Sequence, residues 1–107
     1  MAKKARIPAE IKNYVFATFD ACAACGTWDA EECGHLVAES NGGAMVKENF
    51  VRICGWCNRT QGNVNVAFDA YARYSEAPAT IKTRRAYWAK YCKAARGAME
   101  IKPYRPR

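Results

Sequence analysis

Residues 22–58 read CAACGTWDAEECGHLVAESNGGAMVKENFVRICGWCN, and this stretch decides the fold of the chain. Two Cys-x-x-Cys pairs, Cys22/Cys25 and Cys54/Cys57, stand at its ends and are separated by 28 residues. Two such pairs of thiolates are typical ligands of one tetrahedral zinc site. We therefore expect these four cysteines to hold a structural Zn²⁺, with a segment of hairpin size between them.

Disulfide bonds are the alternative use of the six cysteines. The Met-Ala-Lys-Lys start is not followed by an apolar signal-peptide stretch, and no run approaches the roughly 18 apolar residues of a membrane span. We therefore expect a cytoplasmic or otherwise intracellular protein that is neither secreted nor bound to a membrane. Because thiols stay reduced there, metal ligation is favoured over disulfides. Cys33 and Cys92 are then small buried apolar residues.

The periodicity of apolar residues predicts an α+β fold. Ile11, Val15 and Phe19 recur at the spacing of an amphipathic helix, while residues around His35 and residues 50–53 resemble short strands. With 107 residues and no long linker, the chain is expected to form a single domain over 1–107. We predict helices at 8–20, 55–61, 64–74 and 79–97 and strands at 31–37 and 50–53, which gives a zinc-stapled core at about 20–62 and a basic helical region at 63–107.

Positive charge is concentrated at the C-terminal end. Residues 1–70 hold seven Lys/Arg and eight Asp/Glu, whereas residues 71–107 hold ten and two. On the last predicted helix Lys82, Arg85, Lys93 and Arg96 fall within an arc of about 80°. This asymmetry favours a polyanionic partner, nucleic acid first and an acidic membrane surface second, although an ordinary solvated face is the simpler alternative.

The order of motifs within residues 22–62 resembles a known family. A cysteine knuckle is followed by Gly34-His35, a Gly-Gly loop, Asn49, a short apolar strand and Cys57-Asn58. Together these features resemble the HNH (ββα-metal) endonucleases of the zinc-stapled four-cysteine type, in the Gly-His variant of phage and viral HNH proteins. The resemblance implies a small ββα-metal core, here flanked by an N-terminal helix and C-terminal helices.

The resemblance also implies an activity and its residues. The expected reaction is hydrolysis of DNA phosphodiester bonds with Mg²⁺ or Mn²⁺ as the catalytic ion, in addition to the structural zinc. His35 would be the general base, Asn49 the residue that orients it, and Asn58 a ligand of the catalytic ion. One such site would nick one strand of DNA, and a double-strand break would require a homodimer or two events.

One position departs from the family pattern. Many members carry an acidic residue directly before the histidine, where this chain has Gly34. Glu32, Glu39 or a backbone group are candidates to replace that carboxylate, and we rank Glu39 slightly ahead because it lies in the loop after the histidine.

Less specific interpretations compete at each position. His35 alternatively completes a zinc site of three cysteines and one histidine, Asn49 is a turn residue, and Asn58 caps a helix. Trp56 either packs on the zinc site or faces nucleic acid. The competing function is a zinc-dependent nucleic-acid-binding module without catalysis. A redox role for the Cys-x-x-Cys pairs is disfavoured because the chain has no thioredoxin-like βαβ pattern.

Overall fold

Two short antiparallel strands form the centre of the fold. In this computed structural model, which describes residues 6–66, 71 and 80–101, strand β1 spans Glu32–His35 and strand β2 spans Phe50–Ile53. Glu32 pairs with Ile53 at one end and His35 with Phe50 at the other. A two-stranded ribbon is marginally stable in water, so its two faces need cover.

Helix α1, Ala9–Thr18, covers one face of this ribbon. Pro8, in the extended conformation, precedes the helix. Glu10 lies in the first turn, where its negative charge interacts favourably with the positive end of the helix dipole. Ile11 and Val15 are buried and form an apolar cluster with Phe50 of β2. The predicted helix at 8–20 is therefore confirmed, with slightly tighter ends.

Helix α2, Gly55–Gln61, follows β2 directly and covers the other face. It ends at Gly62, whose φ of 58° lies in the left-handed region that glycine adopts most readily. Val51 and Ile53 of β2 are fully buried in the main apolar cluster, together with Cys57 of α2. The predicted strand at 50–53 and helix at 55–61 are both confirmed.

Helix α3, Ile81–Ile101, packs on α2 and closes the core. The fully buried Trp88 anchors it, because its indole N–H donates a hydrogen bond to the carbonyl oxygen of Cys57 at 3.0 Å. The Trp88 ring also stacks on Tyr71 and Tyr91, with centroids 5.0 Å and 5.9 Å apart. Cys92 is buried in the same cluster, as expected for a small apolar side chain, whereas Cys33 on β1 is only half-buried.

Three predicted boundaries need correction. The strand predicted at 31–37 is shorter and ends at His35. The last helix does not end at Gly97 but continues to Ile101, because glycine in a helix interior costs only about 1 kcal/mol. Val64 and Val66 are buried but not helical; Tyr71 is helical, and the rest of the helix predicted at 64–74 lies outside the described residues.

The structure thus confirms the α+β class, with a two-stranded antiparallel sheet, helices on both of its faces and a four-cysteine cluster. Among the residues that are described, no helix is both long enough and apolar enough to cross a membrane.

Candidate metal centre and catalytic residues

The four predicted zinc ligands converge on one point. The Sγ atoms of Cys22, Cys25, Cys54 and Cys57 all lie within 4.8 Å of one another, and all four residues are buried. The Cys25 and Cys54 sulfurs are 3.8 Å apart, and a tetrahedron with Zn–S bonds of roughly 2.3 Å has edges of about 3.8 Å. All four are free thiols rather than disulfides. The cluster has the geometry of a structural metal site of the kind that holds zinc.

Hydrogen bonds from backbone amides to cysteine sulfurs shape each knuckle independently of a metal ion. The amide of Cys25 donates to the sulfur of Cys22 at 3.4 Å, and the amide of Cys57 donates to the sulfur of Cys54 at 3.4 Å. Gly26, with φ of 83°, supplies the left-handed residue that lets the first knuckle turn back. The two knuckles therefore present their sulfurs in similar ways, and the donated bonds favour the thiolate forms.

The thiols cannot all ionise without a neutralising cation. A hydrogen bond from Cys57 lowers the pKa of Cys22 to about 4, and the same bond, with burial, raises the pKa of Cys57. Burial also raises the pKa of Cys25. Four buried negative charges this close repel one another, so the chemistry of the donor set calls for a divalent cation.

Arg85 reaches this cluster from α3. Its guanidinium donates a hydrogen bond to the sulfur of Cys54 at 3.4 Å, and hydrogen bonds to the sulfurs of Cys25 and Cys54 raise its pKa. The guanidinium carbon also lies 5.3 Å from the centre of the Trp56 ring. Trp56 is 39% exposed, so it neither packs inside the metal site nor points fully into solvent. The sequence carried no signal for this contact, because α3 is remote in the chain from both knuckles.

His35 ends β1 and does not belong to the metal cluster, which contains only cysteines. Its ring packs against Phe50 with centroids 4.5 Å apart, and its Nε2 atom is buried. Gln61 of α2 donates a hydrogen bond to the His35 carbonyl oxygen at 2.8 Å, and Tyr71 donates to Gln61 in turn. The backbone at the end of β1 is therefore fixed by α2.

Asn49 is a buried clamp on the loop that follows His35. Its Oδ1 accepts a hydrogen bond from the amide of Val37 at 2.9 Å. Its Nδ2 donates to the carbonyl oxygens of Val37 and Ala44, both at 3.0 Å. These contacts exceed those of an ordinary turn residue. Asn49 holds the main chain two residues after the histidine, so any influence on the imidazole is transmitted through the backbone.

Asn58 meets an acidic residue on the α2 side of the ribbon. Its Nδ2 donates a hydrogen bond to Oε1 of Glu32 at 2.9 Å. A Cβ atom placed on Gly34 would lie 3.3 Å from the Oδ1 of Asn58, so Gly34 directly faces this amide. Asn58 does not cap α2, because the capping position belongs to Cys54.

Glu32 is thus the acidic residue that the structure brings to Asn58, whereas the sequence-based ranking had placed Glu39 ahead. The available signal was strand alternation, since residues two apart on a strand share a face. Glu32 therefore presents its carboxylate on the face of Gly34. The His35 ring contacts Phe50, which belongs to the apolar cluster formed with α1. The structure joins Asn58, Gly34 and Glu32, and the contact described for the His35 ring is with Phe50 of β2.

The four predicted nucleic-acid ligands differ in their surroundings. Lys82 and Lys93 are exposed on α3. Arg85 contacts the metal cluster, as described, and Arg96 donates hydrogen bonds to the carbonyl oxygens of Thr60 and Gln61 at 3.1 Å and 3.3 Å. The two lysines are therefore available to a partner, while the two arginines already tie α3 to the rest of the fold.

Comparison with known proteins leaves the site to be interpreted from its geometry. The chain matches no protein-family model, no curated protein and no solved structure.

Proposed function

We propose that this protein is a metal-dependent HNH-type endonuclease that hydrolyses DNA phosphodiester bonds and is stabilised by zinc at its four cysteines. The observation that supports this proposal is the contact between Asn58 on α2 and Glu32 on β1, in a strand–strand–helix arrangement stapled by two knuckles. Oxygen ligands on a strand and a helix suit Mg²⁺ or Mn²⁺. The only histidine of the chain ends the same strand.

Each residue has a distinct role in this proposal. A neutral imidazole is a usable base near neutral pH, so His35 would accept the proton of the attacking water. Asn49 would keep the backbone beyond His35 in place, and Asn58 and Glu32 would hold the divalent ion. When bound, such an ion stabilises negative charge on the phosphate and leaving oxygens. Lys82 and Lys93 would contact DNA phosphates without reading sequence.

The test is nicking of supercoiled plasmid with Mg²⁺, with Mn²⁺ and with EDTA. We expect His35→Ala to lower the nicking rate by a factor on the order of 10² to 10⁴, the usual contribution of a general base, while DNA binding is retained. Asn58→Ala and Glu32→Gln should also lose nicking, with partial rescue of Asn58→Ala by high Mn²⁺. Glu31→Gln is the matched control because this exposed neighbour lies outside the strand. Full activity in zinc-loaded His35→Ala protein would refute the mechanism.

A zinc-stabilised nucleic-acid-binding module is the second candidate function. The observation that favours it is the environment of the His35 ring, whose Nε2 is buried and which packs against Phe50. In that case the wild-type protein binds DNA, but neither metal ion produces nicking, and His35→Ala leaves binding affinity unchanged. Wild-type nicking that depends on Mg²⁺ excludes this alternative.

A further inference from the structure

A groove lies beside the metal centre, between the start of α2 and the first turns of α3. Its volume is about 480 Å³, within the range of about 300–1,000 Å³ usual for ligand pockets. It is lined by Trp56, Ile81, Lys82, Arg85, Ala86 and Ala89. Trp56 and Ile81 are 39% and 41% exposed, so two large apolar side chains of the groove are accessible to a ligand.

The indole in this groove is held in a defined position. Arg85 lies over the Trp56 ring at 5.3 Å, and the same guanidinium is hydrogen-bonded to the Cys54 sulfur. A cation over an indole is attracted by the negative face of the ring. The metal centre therefore orients Arg85, and Arg85 orients Trp56, so that the groove offers a pre-positioned aromatic surface.

The charge around the groove selects its occupant. Between residues 81 and 97, α3 contains six Lys/Arg and no Asp/Glu. Lys82 lines the groove and is exposed. Small side chains at Ala86 and Ala89 leave room for a flat group above the helix. The occupant that fits is planar and apolar on its faces and is attached to an anionic chain.

We propose that this groove binds an unpaired nucleobase of single-stranded DNA, which stacks on Trp56 while its flanking phosphate contacts Lys82. The proposal rests on the proposed function for the nucleic-acid partner, and it adds a preference for unpaired strands. Stacking on an aromatic side chain is tolerant of sequence and is available only to bases that are not already stacked in a duplex. The base and its phosphate would thus meet a stacking surface and a cation within one groove.

The test compares the affinity of fluorescently labelled oligothymidine with that of a duplex of equal length, without divalent metal. We expect Trp56→Ala to weaken oligothymidine binding about 5- to 150-fold and to leave duplex binding unchanged, whereas Trp56→Phe should retain most of the affinity. Trp28→Ala is the matched control, because Trp28 is 74% exposed and does not line the groove. Zinc content is measured in every preparation, since Trp56 contacts Arg85.

A second variant keeps the proposal testable if Trp56→Ala disturbs the metal centre. Ala86→Gln fills the groove from exposed α3 without changing charge or touching the knuckles, and it should also weaken only single-strand binding. Equal losses for both DNAs, no loss in either, or preference of the wild-type groove for an acidic aromatic peptide would overturn the proposal. Metal-dependent plasmid nicking by the wild-type protein, together with unchanged oligothymidine binding in Trp56→Ala, refutes this inference alone. Weaker oligothymidine binding in Trp56→Ala, together with no nicking by the wild-type protein, refutes only the proposed endonuclease activity.

Discussion

Asn49 determines the course of the main chain after the candidate general base. Its side-chain amide forms hydrogen bonds with one backbone N–H and two backbone carbonyl groups of this partly buried loop. An Asn-containing motif after a Gly-Gly loop marked this residue in the sequence, together with His35 and Asn58. The partners of its side chain were not predictable, because they are backbone groups whose positions depend on the folded loop.

Removal of the Asn49 side chain should reduce the stability of the fold more than the loss of a few atoms suggests. We expect Asn49→Ala to lower the free energy of unfolding by about 2–3 kcal/mol, since a buried side chain with three hydrogen bonds is lost and the half-buried Val37 amide loses its acceptor. Asn41→Ala is the control, because Asn41 donates two hydrogen bonds from an exposed position and should cost less than about 1 kcal/mol. Urea denaturation of zinc-loaded proteins measures both. Equal losses of unfolding free energy in the two variants would show that Asn49 does not stabilise this loop more than an exposed asparagine does.

At the scale of elements, Gly34 of β1 lies so close to side chains of β2 and α2 that a larger residue there would force a neighbour to shift. A Cβ atom there would lie 2.9 Å from Cγ2 of Ile53, and this close approach brings Asn58 over the strand. The sequence predicted the elements well from periodicity and turn residues. Strand alternation was a signal that Glu32 shares a face with Gly34, but the sequence could not predict that Asn58 lies over that face, because this depends on how α2 packs on the ribbon.

The same substitution at two glycines should therefore have opposite effects. We expect Gly34→Ala to destabilise the fold by about 1–3 kcal/mol, because the new methyl group crowds Ile53. Ile53→Leu removes the crowding Cγ2 atom and should restore part of this loss in the double variant, a coupling that a double-mutant cycle measures. Gly97→Ala is the control: a Cβ atom added there would have no neighbouring atom within 4 Å, and in the helix alanine should stabilise by about 0.5–1 kcal/mol. Additive effects at 34 and 53 would contradict the packing argument.

The carboxylate common in the family can also be restored at this position. Gly34→Asp places its Cβ against the same methyl group of Ile53, and Glu32 already brings a carboxylate to Asn58. We therefore expect lower stability and no gain in nicking rate. A reduced Mg²⁺ requirement in plasmid nicking would instead indicate that Glu32 leaves the ion with too few ligands.

Arg85 makes α3 part of the metal site's surroundings. Outer partners of metal ligands typically contribute 10- to 100-fold to metal affinity. We expect Arg85→Ala to weaken zinc binding by about that factor in competition with a chromophoric chelator. Lys82→Ala is the matched control, because Lys82 lines the same groove and remains exposed. Unchanged zinc affinity in Arg85→Ala would leave this arginine as a DNA contact, the role that the charge pattern first indicated.

On the scale of the whole molecule, charge is divided between two described helices: α3, beside the metal centre, holds six Lys/Arg between residues 81 and 97, whereas α1, which packs on Phe50, holds one Lys and one Glu. The sequence alone indicated this division, because the positions of the charged residues along the chain can be counted without knowing how the chain packs. Composition could not distinguish the Lys and Arg side chains that bond within the fold from those that are accessible to a partner. Arg85 and Arg96 are used by the fold, whereas Lys82 and Lys93 are free to meet a partner. Helical periodicity predicts on which side of a helix a residue lies, but it does not predict which other element that side contacts.

This division predicts how salt should affect DNA binding. We expect Lys82→Ala and Lys93→Ala each to weaken binding to all sequences alike and to reduce the slope of log affinity against log salt by about 1. Lys47→Ala is the control, because Lys47 lies over the Tyr14 ring on α1, away from the basic helix. The slopes are obtained from titrations at several salt concentrations. A double variant with the wild-type slope would place the DNA on another surface.

The division of the four sulfurs between two knuckles also sets an order of events during synthesis. The ribosome delivers Cys22 and Cys25 first, and 28 further residues emerge before Cys54. Until then the nascent chain offers only half a coordination shell, and its first strand has no partner. The complete site forms only after the hairpin and the second knuckle have left the exit tunnel. We therefore expect tight zinc binding only after Cys57 has been synthesised, and not to a nascent chain that ends before Cys54.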